Sequence, residues 1–253
     1  MLQQMLNAKH ILLLLDYDGT LVPFQRNPKD ARLDEGTHRL LKRLARRRKI
    51  SLHFISGRRR ADLQRNVAVA HAGYWGMHGW EGARRGRISR SSRRALKDMY
   101  SKIQARLSGV PGVRLVDKEA GLALHYRGAP PAAALRARSA VKKVVAQFQP
   151  GFRILRGKKI WEVLPPEVEG KGAVARKLSD RAPGGTLAIY IGDDTTDEAA
   201  FAQLPEGLTI RVGRRTRTRA RFFLRRPRDV KQLLERLEAE ALPLKSPHGD
   251  PGR

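Results

Sequence analysis

Residues 10–20 of the chain read HILLLLDYDGT, an apolar run that is followed at once by two aspartates, a glycine and a threonine. An apolar run without polar alternation is typical of a strand that is buried on both faces of a parallel sheet. Further runs of this kind stand at 50–55 (ISLHFI) and 72–77 (AGYWGM), with helical periodicity between them at 36–49 and 61–67. This β-α-β-α-β order predicts an α/β domain with helices on both faces of its sheet.

The pattern changes between residues 79 and 165. Helical stripes at 90–107 and 132–148 are each followed by two short strand-like runs. These four runs lie at 113–116, 122–126, 152–155 and 159–164. The αββαββ order predicts an α+β unit with an antiparallel sheet, inserted into the first domain. We therefore expect residues 1–78 and 166–253 to form the core domain and residues 79–165 to form the inserted one.

After residue 166 the first pattern resumes. It comprises helical segments at 173–178, 198–203 and 229–239, and apolar strand-like runs at 187–191 (LAIYI) and 208–212 (LTIRV). These segments extend the predicted parallel sheet. In such sheets ligands bind beyond the carboxyl ends of the strands, so polar residues directly after each apolar run are the candidates for a functional site.

The charge of the chain is strongly positive. Its 253 residues contain 52 lysines and arginines against 24 aspartates and glutamates, a formal net charge of +28, and no cysteine. Such a charge indicates an anionic partner or substrate without saying which. The lack of cysteine excludes disulfides, thiolate metal sites and a cysteine nucleophile. We expect a soluble, cytoplasmic protein, since no segment is typical of a signal peptide or of a membrane-spanning run of about 20 apolar residues. We also expect it to be a monomer.

The first candidate group is Asp16 and Asp18, which follow the first strand. A carboxylate can attack phosphorus to form an aspartyl-phosphate, and a neighbouring one can act as general acid and base. Two carboxylates at this spacing can also share a divalent cation. The alternative is an ordinary turn, because Asp and Gly are frequent in turns.

The second and third candidate groups can bind phosphate. Ser56, Gly57 and Arg58 follow the second strand and offer a hydroxyl, a flexible backbone N–H and a guanidinium to phosphate oxygens. Lys171 stands between two glycines before a predicted helix, where its ammonium can neutralise a phosphoryl group or a carboxylate. The alternatives are a helix N-cap at Ser56 and a solvated lysine at 171.

The fourth candidate group is the acidic cluster after the strand at 187–191. Asp193, Asp194 and Asp197 stand there with Glu198, and clustered carboxylates repel one another unless a cation or protons compensate. Oxygen ligands of this type favour Mg²⁺. The alternative is that acidic residues simply open a helix, where its dipole favours them.

In chain order, these groups resemble the four signature motifs of haloacid-dehalogenase-type phosphatases. The matching stretches are DYDGTL (16–21), ISGR (55–58), the glycine-flanked Lys171 and GDDTTDE (192–198). The insertion resembles the C2-type cap of that superfamily. Further stretches are similar to trehalose-6-phosphate phosphatases: HGWE (78–81), LHYR (124–127), GKKIWEVLP (157–165) and EGKG (169–172). The resemblance implies a Rossmann-like catalytic core with a specificity cap.

The resemblance also implies a mechanism and an Mg²⁺ cofactor. Asp16 is the expected nucleophile, and Asp18 is the expected general acid and base. Ser56 and Lys171 are expected to bind the transferring phosphoryl group. The expected ligands of Mg²⁺ are Asp16, the backbone carbonyl of Asp18, and Asp193. Asp194 or Asp197 completes or orients this site, and the sequence does not say which.

The cap is expected to select the sugar. The candidate contacts are Glu81, Lys118, Arg127, Lys159 and Glu162. Glutamate and lysine side chains can bond to sugar hydroxyls from several directions. Trp80 or Trp161 could stack on a sugar face, although core packing is the commoner role of an aromatic residue in a strand. The implied activity is hydrolysis of trehalose 6-phosphate. The alternative within this chemistry is sucrose phosphate, a mannosyl-glycerate phosphate or a hexose phosphate.

Two arginine-rich runs, at 84–94 and 211–228, allow a different function. Basic runs with aromatics, here Phe222 and Phe223, can bind nucleic acid. The simpler interpretation places these arginines on a solvated surface, with the two phenylalanines and Leu224 in the core. We therefore expect no specific nucleic-acid partner, only non-specific binding of polyanions at low salt.

Overall fold

The fold is given by a computed structural model that describes residues 2–25, 30–148, 151–157, 159–214 and 217–240. In chain order its elements are α1 (Leu2–Asn7), β1 (His10–Leu15), α2 (Glu35–Ala45), β2 (Ile50–Ile55), α3 (Arg60–Val67), β3 (Gly73–Trp75), α4 (Arg90–Leu107), β4 (Arg114–Asp117), β5 (Leu122–His125), α5 (Pro131–Val145), β6 (Arg153–Gly157), β7 (Ile160–Leu164), α6 (Lys171–Asp180), β8 (Thr186–Gly192), α7 (Glu198–Gln203), β9 (Leu208–Val212), β10 (Phe222–Leu224) and α8 (Pro227–Glu240). Short 3₁₀ turns cover Met77–Gly79, Ala146–Phe148 and Thr195–Asp197.

Within the described ranges, six strands form one parallel sheet in the order β10-β9-β8-β1-β2-β3. The central strand β1 is buried on both faces, as its apolar run predicts. Ile11, Leu13 and Leu15 pack with α2 and α8 on one side, while Leu12 and Leu14 pack with α6 and α7 on the other. The strand order places β8 and β2 on either side of β1, so the residues that follow these three strands lie at one edge of the sheet.

The helices of the core present the apolar stripes that their spacing predicts. Leu40, Leu41 and Leu44 of α2 are fully buried. The first turn of this helix is capped by Asp34, whose side chain accepts a hydrogen bond from the backbone N–H of Thr37 at 3.0 Å. Capping satisfies a backbone donor that has no partner within the helix, which explains why α2 begins at Glu35.

A second sheet, β4-β5-β7-β6 in the described part of the chain, is antiparallel. It is covered by α4 and α5, and their contact buries Met99 and Ile103 of α4 with Val141 and Val144 of α5. The sheet lies between β3 and β8 in sequence, which makes it an insertion into the parallel sheet. The predicted fold class is thereby confirmed: an α/β core with an inserted α+β unit. The domain limits at 78/79 and 165/166 stay predictions.

Three local details differ from the sequence analysis. The predicted strand at 72–77 ends at Trp75, because the following backbone folds over the loop after β2: the N–H of Met77 donates to Arg58 O at 2.7 Å. Helix α1 was not predicted. Arg211 is not solvated but buried, where it donates to Glu198 at 2.6 Å.

Candidate active site

Three of the predicted groups meet at one edge of the parallel sheet. Asp16 follows β1, Ser56 follows β2 and Asp193 follows β8, and all three residues are buried. The backbones of Asp16 and Ser56 continue the sheet pairing for one more step, since the N–H of Asp16 donates to Ile191 O and the N–H of Ser56 donates to Trp75 O, both at 2.9 Å. The side chains are therefore held by the sheet itself rather than by mobile loops.

Lys171, the third candidate group, reaches this edge from the first turn of α6. Its ammonium lies 2.8 Å from Asp16 Oδ1 and 2.8 Å from Asp197 Oδ1, and all three side chains are buried. Burial raises the pKa of Asp16 well above its usual value, Lys171 opposes this shift, and the carboxylates of Asp197 and Asp193 add to it. The pKa of Lys171 is also raised, because the attraction of Asp16 and Asp197 outweighs the effect of burial.

Asp197 is held by three donors. Its Oδ1 accepts from Lys171 and from the hydroxyl of Tyr190 at 2.8 Å, while its Oδ2 accepts from the backbone N–H of Asp194 at 2.9 Å. The chain can bend this closely because residue 192 is glycine: a Cβ there would lie 2.3 Å from Asp197 Cγ. This carboxylate therefore orients Lys171 toward Asp16.

The acidic cluster fits a hard divalent cation. One carboxylate oxygen each from Asp16, Asp193 and Asp197 lies within 4.8 Å of the others, and the ammonium of Lys171 balances only part of their charge. The carboxylate of Asp193 lies so close to Gly19 that a Cβ there would be 2.4 Å from Asp193 Oδ2. Buried oxygen ligands with excess negative charge are the donor set that Mg²⁺ prefers.

Asp18 points to the rim of the site and pairs with Arg58. The guanidinium donates to both oxygens of this carboxylate, from Nε and from an Nη, each at 2.6 Å. Arg58 also lies over the ring of Tyr17, with its Cζ 5.3 Å from the ring centroid. The bidentate pair shows that Asp18 and Arg58 are neighbours across the mouth of the site.

A cavity of about 610 Å³ opens above these residues, between the two sheets. Twelve of the predicted site residues line it: Asp16, Asp18, Ser56, Gly57, Arg58, Lys118, Arg127, Lys159, Glu162, Lys171, Asp193 and Asp194. The cavity thus has carboxylates and an ammonium at its base and polar groups of the inserted unit at its roof. Its size is in the range of pockets that bind small molecules.

Two predicted residues do not line the cavity. Asp197 lies beneath it, behind Lys171. Glu81, predicted as a sugar contact, instead caps α3, because its Oε2 accepts from the backbone N–H of Arg60 at 2.5 Å. Neither Trp80 nor Trp161 reaches the cavity: Trp80 packs with Met77 and Ile88, and Trp161 packs inside the core of the inserted unit.

Sequence reasoning missed several residues of the cavity wall, among them His78 and Phe24. His78 lines the cavity and bonds to Glu162, although in the HGWE stretch the glutamate was the predicted contact. Phe24 lines the mouth with 40 % of its surface exposed. No spacing marks either residue, but an aromatic eight positions after Asp16 in a proline-containing loop is a signal that could have been followed.

The described residues contain no helix that is both long and apolar enough to cross a membrane. The arginines at 84–94 are exposed, and so are Arg214, Arg217, Arg219, Arg221, Arg225, Arg226 and Arg228. Phe222 and Leu224 pack against the core. These positions agree with a solvated basic surface, while Arg215 lies outside the described residues.

Comparison with known proteins shows similarity to one protein family. Residues 14–226 match the trehalose-phosphatase family. The chain is 36 % identical over 242 residues to a bifunctional trehalose-6-phosphate synthase/phosphatase of Thermoproteus tenax, covering 91 % of this chain and 32 % of that protein. It is 30 % identical over 246 residues to a trehalose-phosphate phosphatase of Mycobacterium ulcerans, covering 89 % of this chain and 60 % of that one.

The fold comparison agrees with the sequence comparison. The C-terminal domain of a trehalose-6-phosphate phosphatase of C. albicans superposes with a TM-score of 0.82 at 25 % identity, covering 95 % of both chains. The present chain spans between about a third and three fifths of the length of the two curated relatives. The family match extends from the end of β1 to the residues just after β10 and so includes all four motifs and the insertion. The chain therefore belongs to the trehalose-phosphatase family.

Proposed function

We propose that this protein is an Mg²⁺-dependent phosphatase that hydrolyses trehalose 6-phosphate to trehalose and phosphate. The observation that carries the proposal is the contact of Asp16 with Lys171 at the base of a cavity whose roof bears Lys118 and Glu162. The proposed nucleophile and the lysine proposed to bind phosphate thus lie across one cavity from two polar side chains that can bond to sugar hydroxyls. The names of the relatives point to the same substrate.

In the proposed reaction a carboxylate oxygen of Asp16 attacks phosphorus, and the bond from phosphorus to the sugar oxygen breaks. Asp18 donates a proton to that leaving oxygen. The resulting carboxylate of Asp18 then takes a proton from the water that hydrolyses the aspartyl-phosphate, which releases phosphate and restores Asp16. Arg58 is expected to exchange its pair with Asp18 for the oxygens of the substrate phosphate, since a guanidinium binds both groups in the same bidentate manner.

Ser56 and Lys171 are proposed to hold the transferring phosphoryl group. Lys171 is suited to this because Asp197 fixes its position, so its charge is preorganised before substrate arrives. Asp16, Asp193 and the backbone carbonyl of Asp18 are the proposed holders of Mg²⁺. Asp197, one of whose oxygens lies within 4.8 Å of an oxygen of Asp16 and one of Asp193, is assigned the orientation of Lys171 beside that site. When bound, Mg²⁺ supplies positive charge to the phosphoryl oxygens.

The inserted unit is proposed to act as the cap that selects the sugar, through Lys118, Arg127, Lys159 and Glu162. All four line the cavity opposite the carboxylates. A lid of this type admits substrate and excludes bulk water during the reaction. A cytoplasmic location and a monomeric state complete the proposal, and light scattering on purified protein tests the latter.

A substrate panel tests the proposed function. Phosphate release is measured from trehalose 6-phosphate, sucrose 6-phosphate, a mannosyl-glycerate phosphate, glucose 6-phosphate and 4-nitrophenyl phosphate, each with Mg²⁺ and with EDTA. We expect the highest kcat/KM with trehalose 6-phosphate and no turnover after chelation. Preference for another ester would refute the substrate, and full activity in EDTA would refute the cofactor.

A further inference from the structure

The carboxylate of Glu162 accepts hydrogen bonds from two side chains, one on each oxygen. It belongs to β7 of the inserted unit and is 5 % exposed. Its Oε1 accepts from Lys118 Nζ at 2.7 Å, and its Oε2 accepts from His78 Nε2 at 2.6 Å. Burial alone would raise the pKa of Glu162, but the charges and hydrogen bonds of His78 and Lys118 outweigh it and hold the pKa well below its usual range.

Both donors to Glu162 also bond to the loop after β2. Lys118 Nζ donates to Gly57 O at 3.0 Å, and the backbone N–H of His78 donates to Ser56 O at 2.9 Å. Two separate bridges therefore run from one carboxylate of the inserted unit to the loop that presents Ser56. These hydrogen bonds couple the position of the Glu162 carboxylate to that of the loop.

The position of His78 is tightly determined. Its backbone is left-handed, with φ 56° and ψ 26°, a conformation that is uncommon for a residue with a side chain. Its ring lies against Gly57, where a Cβ would be 2.8 Å from His78 Cε1. A side chain at residue 57 would therefore collide with the ring in this position. Backbone strain that the surroundings enforce in this way is concentrated at functional sites.

The polar interactions of the ring are directed at Glu162. An ionised carboxylate only accepts hydrogen bonds, so His78 Nε2 carries the proton in this contact. The other ring nitrogen, Nδ1, is buried and has no hydrogen-bond partner among the described residues. Among the described residues, Glu162 is therefore the hydrogen-bond partner of this ring.

We propose that His78 is a positioning residue for sugar recognition, which holds Glu162 in the cavity and links it to the phosphate-binding loop. The inference rests on the proposed function, because it assumes that Glu162 contacts the leaving sugar. It goes beyond that function by making productive binding of the sugar depend on a residue of the 3₁₀ turn after β3. Loss of the His78 bond frees one side of the carboxylate, and discrimination between sugar and non-sugar esters then falls.

The test measures selectivity, defined as kcat/KM for trehalose 6-phosphate divided by kcat/KM for 4-nitrophenyl phosphate. In His78→Leu we expect selectivity to fall about 10- to 100-fold, the usual effect of losing a hydrogen bond to a charged group. His78→Gln, whose amide N–H can reach the place of Nε2, should recover it to within about 3-fold. If His78→Leu does not fold, His78→Asn, whose shorter amide does not reach Glu162, takes its place.

Two controls separate positioning from general damage. His53→Gln changes another partly buried histidine, on β2 and outside the cavity, and should leave selectivity unchanged. In the double variant with Glu162→Gln, the effect of His78→Leu should nearly disappear, since both act through one contact. Unchanged selectivity in His78→Leu, no recovery in His78→Gln, or full additivity would each overturn the proposal.

The failure of this inference can be told apart from failure of the proposed function. If the wild-type protein prefers a different sugar phosphate, the proposed substrate is wrong, and the same ratio is measured with the preferred ester. A fall in that ratio still supports the role of His78. A wild-type protein that shows no preference for any sugar ester over 4-nitrophenyl phosphate overturns it.

Discussion

The ammonium of Lys171 lies 2.8 Å from a carboxylate oxygen of Asp16, although 155 positions separate the two residues in the chain. The contact is buried, and breaking a buried ion pair costs several kcal/mol because it leaves a buried charge without its partner. The fold therefore strongly constrains the distance between the start of α6 and the end of β1. In the proposed reaction the same pair places a positive charge next to the attacking oxygen before substrate binds.

Replacing Asp16 tests the identity of the nucleophile. Asp16→Asn keeps the shape of the side chain but attacks phosphorus poorly, so we expect phosphate release to fall by a factor on the order of 1,000 or more. Asp180→Asn, which changes an exposed carboxylate at the end of α6, should keep full activity. The measurement is single-turnover phosphate release, with circular dichroism to confirm folding. Substantial turnover in Asp16→Asn would mean that another group attacks.

The pair of Asp197 and Tyr190 tests whether Lys171 is preorganised. Asp197→Asn removes the charge that holds Lys171, and we expect kcat to fall about 10- to 100-fold, as for loss of a hydrogen bond to a charged group. Tyr190→Phe removes one donor to Asp197 and leaves the ion pair, so its effect on kcat should be smaller. Steady-state kinetics on both variants show which substitution lowers kcat more. An equal or larger loss in Tyr190→Phe would contradict it.

Phe24 is expected to contribute to substrate affinity. Its exposed ring lines the mouth of the cavity, and an aromatic face suits the C–H surface of a sugar. In Phe24→Ala we expect KM for trehalose 6-phosphate to rise about 5- to 20-fold, while Phe24→Tyr keeps it near the original value. Leu135→Ala, an exposed apolar residue of α5 outside the cavity, is the matched control. The idea fails if Phe24→Ala and Leu135→Ala give the same KM.

Acidification is expected to destabilise the protein partly through His53. Burial lowers the pKa of His53 to about 4, against about 6.5 in the unfolded chain. Between these pH values the unfolded state binds more protons than the folded state. The contribution of His53 to the free energy of unfolding is therefore complete above pH 6.5 and is lost as the pH is lowered toward 4. The loss from this residue is at most on the order of 3 kcal/mol.

Urea unfolding at a series of pH values measures this effect. In His53→Gln, which does not titrate in this range, the free energy of unfolding should depend less on pH between 6.5 and 4.5. His125, whose pKa is also lowered to about 4, mainly by burial, should account for part of the remaining slope. An unchanged slope in His53→Gln would show that other groups carry the acid sensitivity.

Much of the architecture could be read from local patterns. The apolar run at 10–15 predicts a buried strand because burial on both faces tolerates no polar residue, and the parallel order follows from the alternation with helices. Parallel strands end at the same edge, so the sequence also predicts that Asp16, Ser56 and Asp193 meet. The helix Arg90–Leu107 is predicted with its correct limits, because its apolar stripe spans its whole length.

What could not be predicted is where individual side chains point once the chain leaves a strand or helix. Glu81 and His78 stand three positions apart in one short stretch, yet the first caps α3 and the second grips Glu162. Asp197 and Asp194 are likewise three apart, and only Asp197 turns inward to Lys171. The spacing of apolar residues indicates which positions of a strand or helix are buried. The direction of a loop side chain depends instead on neighbours far away in sequence, which the packing of the two sheets brings into contact.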